Sequence, residues 1–311
     1  METQYTVGID IGGTNTVVAC VDRDGKIVCR ASFKTQPHAT SGEFIRHLGE
    51  TVNEVCRGFQ PKGIGVGAPC ANPGTGCIDH AAELPWDEEI PVAAELSRLT
   101  GVPVSMVNDA KAAALGEMAY GAARGMNNFV MITLGTGVGG GVVADGHLIQ
   151  GTQGYAAELG HVIVRPGGRD CSCGRKGCLQ TYCNARGVVL NALEALEQTP
   201  SVSTLREIPA DKMTAKDIGE AAAKGDSSAI HALAMTGRYL GEAAANYAAC
   251  FDPEAFILFG GVANAGDFIL EPMREAMEEN LLFLYKGKVR VLHSTLPQGD
   301  AALLGAAAAF V

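Results

Sequence analysis

One pattern, met twice, constrains this chain more than any other. Near the N-terminus Tyr5-Thr6-Val7-Gly8-Ile9 reads as a short strand, Gly12-Gly13-Thr14 as a tight turn and Val17-Val18-Ala19-Cys20-Val21 as the return strand. Asp24-Gly25 then turns the chain into Lys26-Ile27-Val28. Asp-Gly suits a tight hairpin because both central residues of such a turn take positive φ. The same order recurs in the second half. Phe129-Val130-Met131-Ile132-Thr133-Leu134 is a strand, Gly135-Thr136-Gly137-Val138-Gly139-Gly140 a glycine turn and Gly141-Val142-Val143-Ala144 the return. Asp145-Gly146 again leads into a short strand, His147-Leu148-Ile149. A repeat of this length predicts two related domains facing each other.

Helices fill the remainder. Ser41 is placed to cap a helix whose apolar face is Phe44, Ile45, Leu48, Val52, Val55 and Phe59. Residues 110–123 are Ala-rich and follow a strand, Val104-Ser105-Met106-Val107; 227–250 and 267–284 carry long helical patterns. After Val289-Arg290-Val291-Leu292, the apolar stretch 300–311 predicts a closing helix. Strands alternating with helices in two halves predict an α/β protein with a cleft between its domains. The expected division is a small domain of residues 1–115 completed by 296–311, and a larger one of 116–295.

Composition narrows the function. A length of 311 residues fits two domains, and 47% hydrophobic against 19% charged residues excludes a disordered chain. With 24 Lys+Arg against 34 Asp+Glu the net charge is −10, which argues against a nucleic-acid partner. The sequence has no run of 18 apolar residues and no basic stretch at Met1–Tyr5, so neither a membrane span nor secretion is expected, and the cytoplasm is. Ten cysteines are too few for a disulfide scaffold of this length. Only Cys171, Cys173 and Cys178 cluster, and with His161 they form the spacing His-x9-Cys-x-Cys-x4-Cys. One imidazole and three thiolates make a soft tetrahedral set that suits zinc, and four protein ligands leave no open position. Buried thiols are the alternative.

The run from Gly135 to Gly140 matches G-x-G-x-x-G, but a dinucleotide fold needs a helix to open there, and here a strand follows. No Walker loop is present, because the Gly-Lys pairs continue with Ile27 or Val289. What remains is a hairpin phosphate clamp, in which glycine N–H groups and threonine hydroxyls meet anionic oxygens. One such loop would pass as an ordinary hairpin; two in matching places favour the clamp. Asn108-Asp109 follows a strand, where α/β folds present reactive side chains. The pair reads either as a helix cap or as a base, Asp109, with Asn108 holding neighbouring hydroxyls.

Asp10-Ile11-Gly12-Gly13-Thr14-Asn15-Thr16 and the loop 134–141 resemble the two phosphate motifs of the actin-like sugar kinases. The stretch Phe259-Gly260-Gly261-Val262-Ala263-Asn264-Ala265-Gly266 resembles their adenosine motif. Glu158-Leu159-Gly160-His161, followed by Cys171-Ser172-Cys173-Gly174-Arg175-Lys176-Gly177-Cys178, is similar to the signature of the ROK family of repressors, open reading frames and kinases. The resemblance implies a two-domain actin-like (ribonuclease H-like) fold with an interdomain cleft. It implies ATP-dependent phosphorylation of a hexose hydroxyl, glucose to glucose 6-phosphate first. N-acetylmannosamine kinase, fructokinase and a weakly catalytic sugar-binding protein are the alternatives.

The same resemblance places ATP on Gly12, Gly13, Thr14, Asn15, Thr16, Thr136, Gly137, Gly260 and Gly261, with Mg²⁺ held through water by Asp10. It places the sugar on Asn108, Asp109, Glu158, His161 and Gln180, with structural Zn²⁺ stiffening that pocket, and implies a homodimer. A repressor of the family would carry a helix-turn-helix before the first phosphate strand, whereas here that strand starts at Tyr5. Four positions depart from the family habit. Gln180 stands where Glu is common, Lys111 where kinases have Asn, Asn184 where a small Ser is usual, and Glu83 where many relatives have Asn. The phosphate side is intact and the sugar side has drifted.

Overall fold

In the computed structural model, which describes residues 4–81, 84–152, 154–198, 202–297 and 299–311, the first hairpin joins β1 (Tyr5–Ile11) to β2 (Asn15–Asp22). Their antiparallel register closes at Ile11 opposite Thr16, around the glycine turn. β3 (Ile27–Lys34) extends the sheet beside β2, and β4 (Pro61–Gly67) lies parallel to β1 on its other side. Between α1 (Ser41–Val55) and α2 (Val92–Thr100) the chain also makes a small sheet of β5 (Ala71–Asn72), β6 (Cys77–Asp79) and β7 (Glu89–Ile90). β8 (Val104–Val107) completes the main sheet in the order β3-β2-β1-β4-β8. It leads into α3 (Asp109–Tyr120).

The second sheet repeats that order. β9 (Phe129–Leu134), β10 (Val138–Ala144) and β11 (His147–Leu148) form the meander. Next come α4 (Gln180–Cys183), α5 (Ala185–Gln198), α6 (Ala215–Ala223) and α7 (Ser227–Phe251). β12 (Ala255–Phe259) then pairs in parallel with β9, α8 (Asp267–Asn280) follows, and β13 (Arg290–His293) pairs with β12. The order β11-β10-β9-β12-β13 matches the first sheet strand for strand. The internal repeat read from glycines and Asp-Gly pairs is therefore a repeat of topology. β1 and β9 occupy the same internal place in their sheets and are buried along most of their length, hence the nearly continuous apolar sequence of β9 and the Val7, Ile9 and Ile11 of β1.

Two units divide the contacts. The first comprises Met1–Gly125, Leu148–Ala156 and Thr295–Val311, and the second Met126–His147 and Ala157–Ser294. The expected boundary after residue 115 instead falls inside α3, which stays whole in the first unit because it packs on the closing helix α9 (Ala301–Ala307). Residues 116–125 and 148–156 consequently join the first unit. Its core gathers Val7 and Ile9 of β1, Ile64 and Val66 of β4, Phe44 and Leu48 of α1 and Leu96 of α2. Each such buried side chain contributes about 1.5–3 kcal/mol. In the second unit α7 packs along α8, burying Leu240, Ala244, Ile269 and Met273.

Several local expectations shift. Thr40, not Ser41, caps α1, because its extended backbone lets Oγ1 accept from the Glu43 N–H at 3.2 Å. α3 stops at Tyr120, short of 123, because the Glu117 carboxylate accepts from the Ala122 N–H at 2.5 Å and closes the turn. α8 ends at Asn280 and not at 284, the chain becoming extended at Leu281. The second return strand starts at Val138, so the glycines that follow lie within β10. Among the described residues no helix is long and apolar enough to cross a membrane.

Candidate active site

The first unit holds one half of the predicted machinery. Its glycine turn is closed by the Gly12 N–H donating to the Asn15 carbonyl at 3.0 Å, and Thr14 and Asn15 are exposed on it. Thr16 points the other way. It is fully buried, its Oγ1 lies 2.9 Å from that of Thr35, and Thr35 donates its own hydroxyl proton to the Gly12 carbonyl at 2.7 Å. The proton shared by the two hydroxyls therefore comes from Thr16. This corrects the expected phosphate role of Thr16: on a strand, successive side chains alternate, so exposed Asn15 turns Thr16 inward. Thr16 and Thr35 brace the turn from behind.

Asp10 lies one residue before the end of β1. Burial raises its carboxyl above the ordinary range, and the negative charge of Asp109 adds to the rise. A half-buried carboxylate with an acidic neighbour is a place a hard divalent cation would relieve, and Mg²⁺ fits that donor chemistry. Asn108 caps α3, its Oδ1 accepting from the Ala110 N–H at 3.1 Å, so its Nδ2 is the group it can offer a ligand. Asp109 is exposed, and its Oδ1 accepts from the same N–H at 2.8 Å. Asn108 is thus the helix cap that one reading of the pair expected, and Asp109 presents an exposed carboxylate just past the strand end. Glu83 lies outside the described residues.

The second unit builds its turn on a helix start. The Ala185 N–H donates to the Gly135 carbonyl at 2.9 Å, and Asn184 Nδ2 donates to the Thr136 carbonyl at 2.8 Å. Asn184 Oδ1 meanwhile accepts from the Gly187 N–H at 2.7 Å, capping α5. Thr136 and Gly137 are exposed beside that positive helix end, a setting that favours phosphate. Gly260, after β12, takes φ +105° and leaves no room for a side chain, since a Cβ would fall 2.4 Å from the Leu134 carbonyl. Gly261 then lines a cavity of about 730 Å³ together with Gly135 and Thr136. Its walls include Ala215, Gly219 and Ala223 of α6, with Val262 and Phe268. Residues four apart share one helix face, so α6 offers a small-residue stripe a planar base could lie against, edged by Lys216 and Glu220.

The segment carrying Glu158 and His161 rests directly on β10. A Cβ on Gly140 would meet the Ala157 carbonyl at 2.4 Å, and one on Gly160 would meet the Val138 carbonyl at 2.0 Å. The glycines inside β10 thus admit this turn as well as following a phosphate loop. Glu158 is exposed at its start, and the Tyr247 hydroxyl, from α7, donates to the Leu159 carbonyl at 2.8 Å and holds it. Tyr247 was not foreseen, because a lone Tyr on an Ala-rich helix gives no signal until its partner is known.

His161, Cys171, Cys173 and Cys178 converge, with all four ligand atoms within 4.8 Å of one another. Cys173 and Cys178 sulfurs are 3.7 Å apart, and Cys171 Sγ is 3.7 Å from His161 Nδ1. Tetrahedral zinc with Zn–S near 2.3 Å sets sulfurs about 3.8 Å apart, so the donor set fits that metal. Hydrogen bonds, first from the Arg175 side chain, hold the Cys173 thiol down at about 6, towards the thiolate a metal requires. Burial first, then the neighbouring thiols, push Cys178 up to about 12. A bound divalent cation would reverse that effect.

Gln180, expected to touch the sugar, has its amide nitrogen turned to the cysteine loop. Its Nε2 donates to Cys171 Sγ at 3.1 Å, so its amide is engaged with a candidate metal ligand. Nothing in the local sequence signals this, since the contact depends on how the cysteine loop folds back over α4. Replacing Gln180 by Glu removes that donor and sets an acceptor-only carboxylate against the Cys171 sulfur. The expected result is weaker retention of zinc, with the KM for ATP almost unchanged. Elemental analysis beside steady-state kinetics checks it; unchanged zinc content would mean that this contact does not support the metal ligand.

A family model described as the ROK family matches residues 6–311 of the chain. The glucokinase of Thermotoga maritima is 36% identical over 304 residues, covering 97% of this chain and 95% of that protein. A ROK glucokinase from Streptomyces griseus, solved in complex with glucose and AMPPNP, is 33% identical with a TM-score of 0.77, covering 97% of this chain and 98% of that one. A ROK hexokinase from Thermus thermophilus is 30% identical with a TM-score of 0.82, covering 98% and 97%.

Proposed function

The chain belongs to the ROK family, and from that premise we propose that it is an ATP-dependent glucokinase that converts glucose to glucose 6-phosphate. The observation that carries this most is Asp109, an exposed carboxylate at the C-terminal end of β8 in a chain similar along its length to a kinase solved with glucose and AMPPNP. Asp109 takes the proton from the attacking sugar hydroxyl, its carboxylate steadied by the Ala110 N–H. Asn108 donates Nδ2 to a neighbouring hydroxyl, and Glu158 accepts from others. The nitrogen of His161 turned away from Cys171, Nε2, is the one that serves the sugar.

Backbone N–H groups of Gly13 and Gly137 and the hydroxyls of Thr14 and Thr136 receive phosphate oxygens, with Gly12 closing the turn and Asn15 beside them. Gly260 and Gly261 shape the floor for adenosine. Asp10 would hold Mg²⁺, through water as the family resemblance implies, and the ion would supply neutralisation of charge on the phosphates. His161, Cys171, Cys173 and Cys178 hold a structural Zn²⁺ that fixes the turn bearing Glu158. Three thiolate ligands suit a reducing compartment, which supports a cytoplasmic location, and the family supports a homodimer.

A panel of sugars assayed by ADP release tests the reading. Glucose is expected to give the highest kcat/KM, ahead of N-acetylmannosamine and fructose. Preference for either competitor would overturn the substrate while leaving the kinase intact.

A further inference from the structure

Lys111 stands two residues after Asp109 on α3 and is only 2% exposed, which is rare for lysine. A buried ammonium is retained where it is hydrogen-bonded, and its Nζ donates to the backbone carbonyl of Gly154. Gly154 belongs to the strap Leu148–Ala156, which groups with the first unit although the chain on either side belongs to the second. The strap is drawn into a loop by the Ala156 N–H donating to the Gln150 carbonyl at 3.0 Å. It forms one wall of a cavity of about 590 Å³, through Gln150, Gly154 and Tyr155, opposite the turn at 72–75. The chain then continues to Glu158, two residues beyond the end of the strap.

We propose that Lys111 is a positioning residue for sugar binding, fastening the strap at Gly154 so that the chain leaving it delivers Glu158 to the sugar. Lys111 does not itself touch substrate. This rests on the glucokinase reading for its kinetic consequence, but the tie itself is observable without catalysis.

Lys111→Met keeps the length and apolar stem of the side chain and removes the donor, and Lys111→Arg restores a permanent donor. Losing a charge-assisted hydrogen bond predicts a glucose KM raised about tenfold or more in the Met variant. The KM for ATP and the kcat stay within about twofold, since only a ground-state contact is altered. Hydrogen exchange of peptides covering 148–156 quickens in Lys111→Met and returns towards wild type in Lys111→Arg. If the Met variant does not fold, Lys111→Gln, too short to span to the Gly154 carbonyl and without the charge, supplies the same comparison. Unchanged exchange across 148–156 would overturn the tie, whatever the chain phosphorylates. Unchanged glucose KM with quickened exchange would overturn the role in sugar binding. A shifted pH profile of kcat would instead assign Lys111 an electrostatic effect on Asp109 and would also overturn it.

Discussion

Asp109→Asn lowers kcat by about two to four orders of magnitude and leaves the KM for glucose and for ATP close to wild type. Asn is nearly the same size and keeps an oxygen at the place where Asp109 Oδ1 accepts from the Ala110 N–H at 2.8 Å. The start of α3 is also held by the Asn108 cap, so the helix does not depend on the substituted side chain. Only proton acceptance is lost. The check is kcat and KM measured beside the melting temperature: turnover within twofold of wild type in a folded Asn variant would assign the base to another group. A fall in melting temperature together with turnover would mark Asp109 as a structural cap instead.

Removing the metal site produces the second large effect. Purified protein is expected to carry about one zinc per chain, and Cys178→Ser to carry none. Cys178 is fully buried and its backbone pairs with that of Ile163, so the Sγ it offers the metal ties the cysteine loop beside the segment that follows His161, and Ser withdraws that tie. Because metal binding is also local folding energy, the variant melts about 10 °C or more below wild type. Its glucose KM rises, since His161 and the neighbouring Glu158 lose their anchor. Elemental analysis, thermal melting and kinetics on the same preparations check this. Metal-free protein with full activity and an unchanged melting temperature would refute a structural zinc.

The parts legible in the sequence are those whose physics is local. The Asp145-Gly146 hairpin takes φ of 51° and 74°, as a tight turn of that sequence requires, and the strands flanking it follow. The metal cluster was legible because its four ligands lie close together in the chain and their chemistry is specific. What stayed hidden depends on partners distant in sequence. Thr35 braces the first glycine turn from 19 residues beyond Thr16, and neither threonine announces the other. Ala215, Gly219 and Ala223 of α6 become a cavity wall only once β12 and its glycine turn stand opposite. Gln180 kept its place in the motif, yet its amide turned to sulfur rather than outward. The boundary expected after residue 115 failed for the same reason, because the packing of α3 on α9 joins residues far apart in the chain.

The most direct measurement follows carbon-13 glucose by NMR in the presence of the purified protein, ATP and Mg²⁺, with ADP quantified in parallel. Glucose 6-phosphate is expected to accumulate in equal amount to ADP with wild-type protein, and to slow by two to four orders of magnitude, about the general-base contribution, with Asp109→Asn. ADP without sugar phosphate, or sugar phosphate formed as fast by the Asn variant, would contradict a glucokinase that works through Asp109.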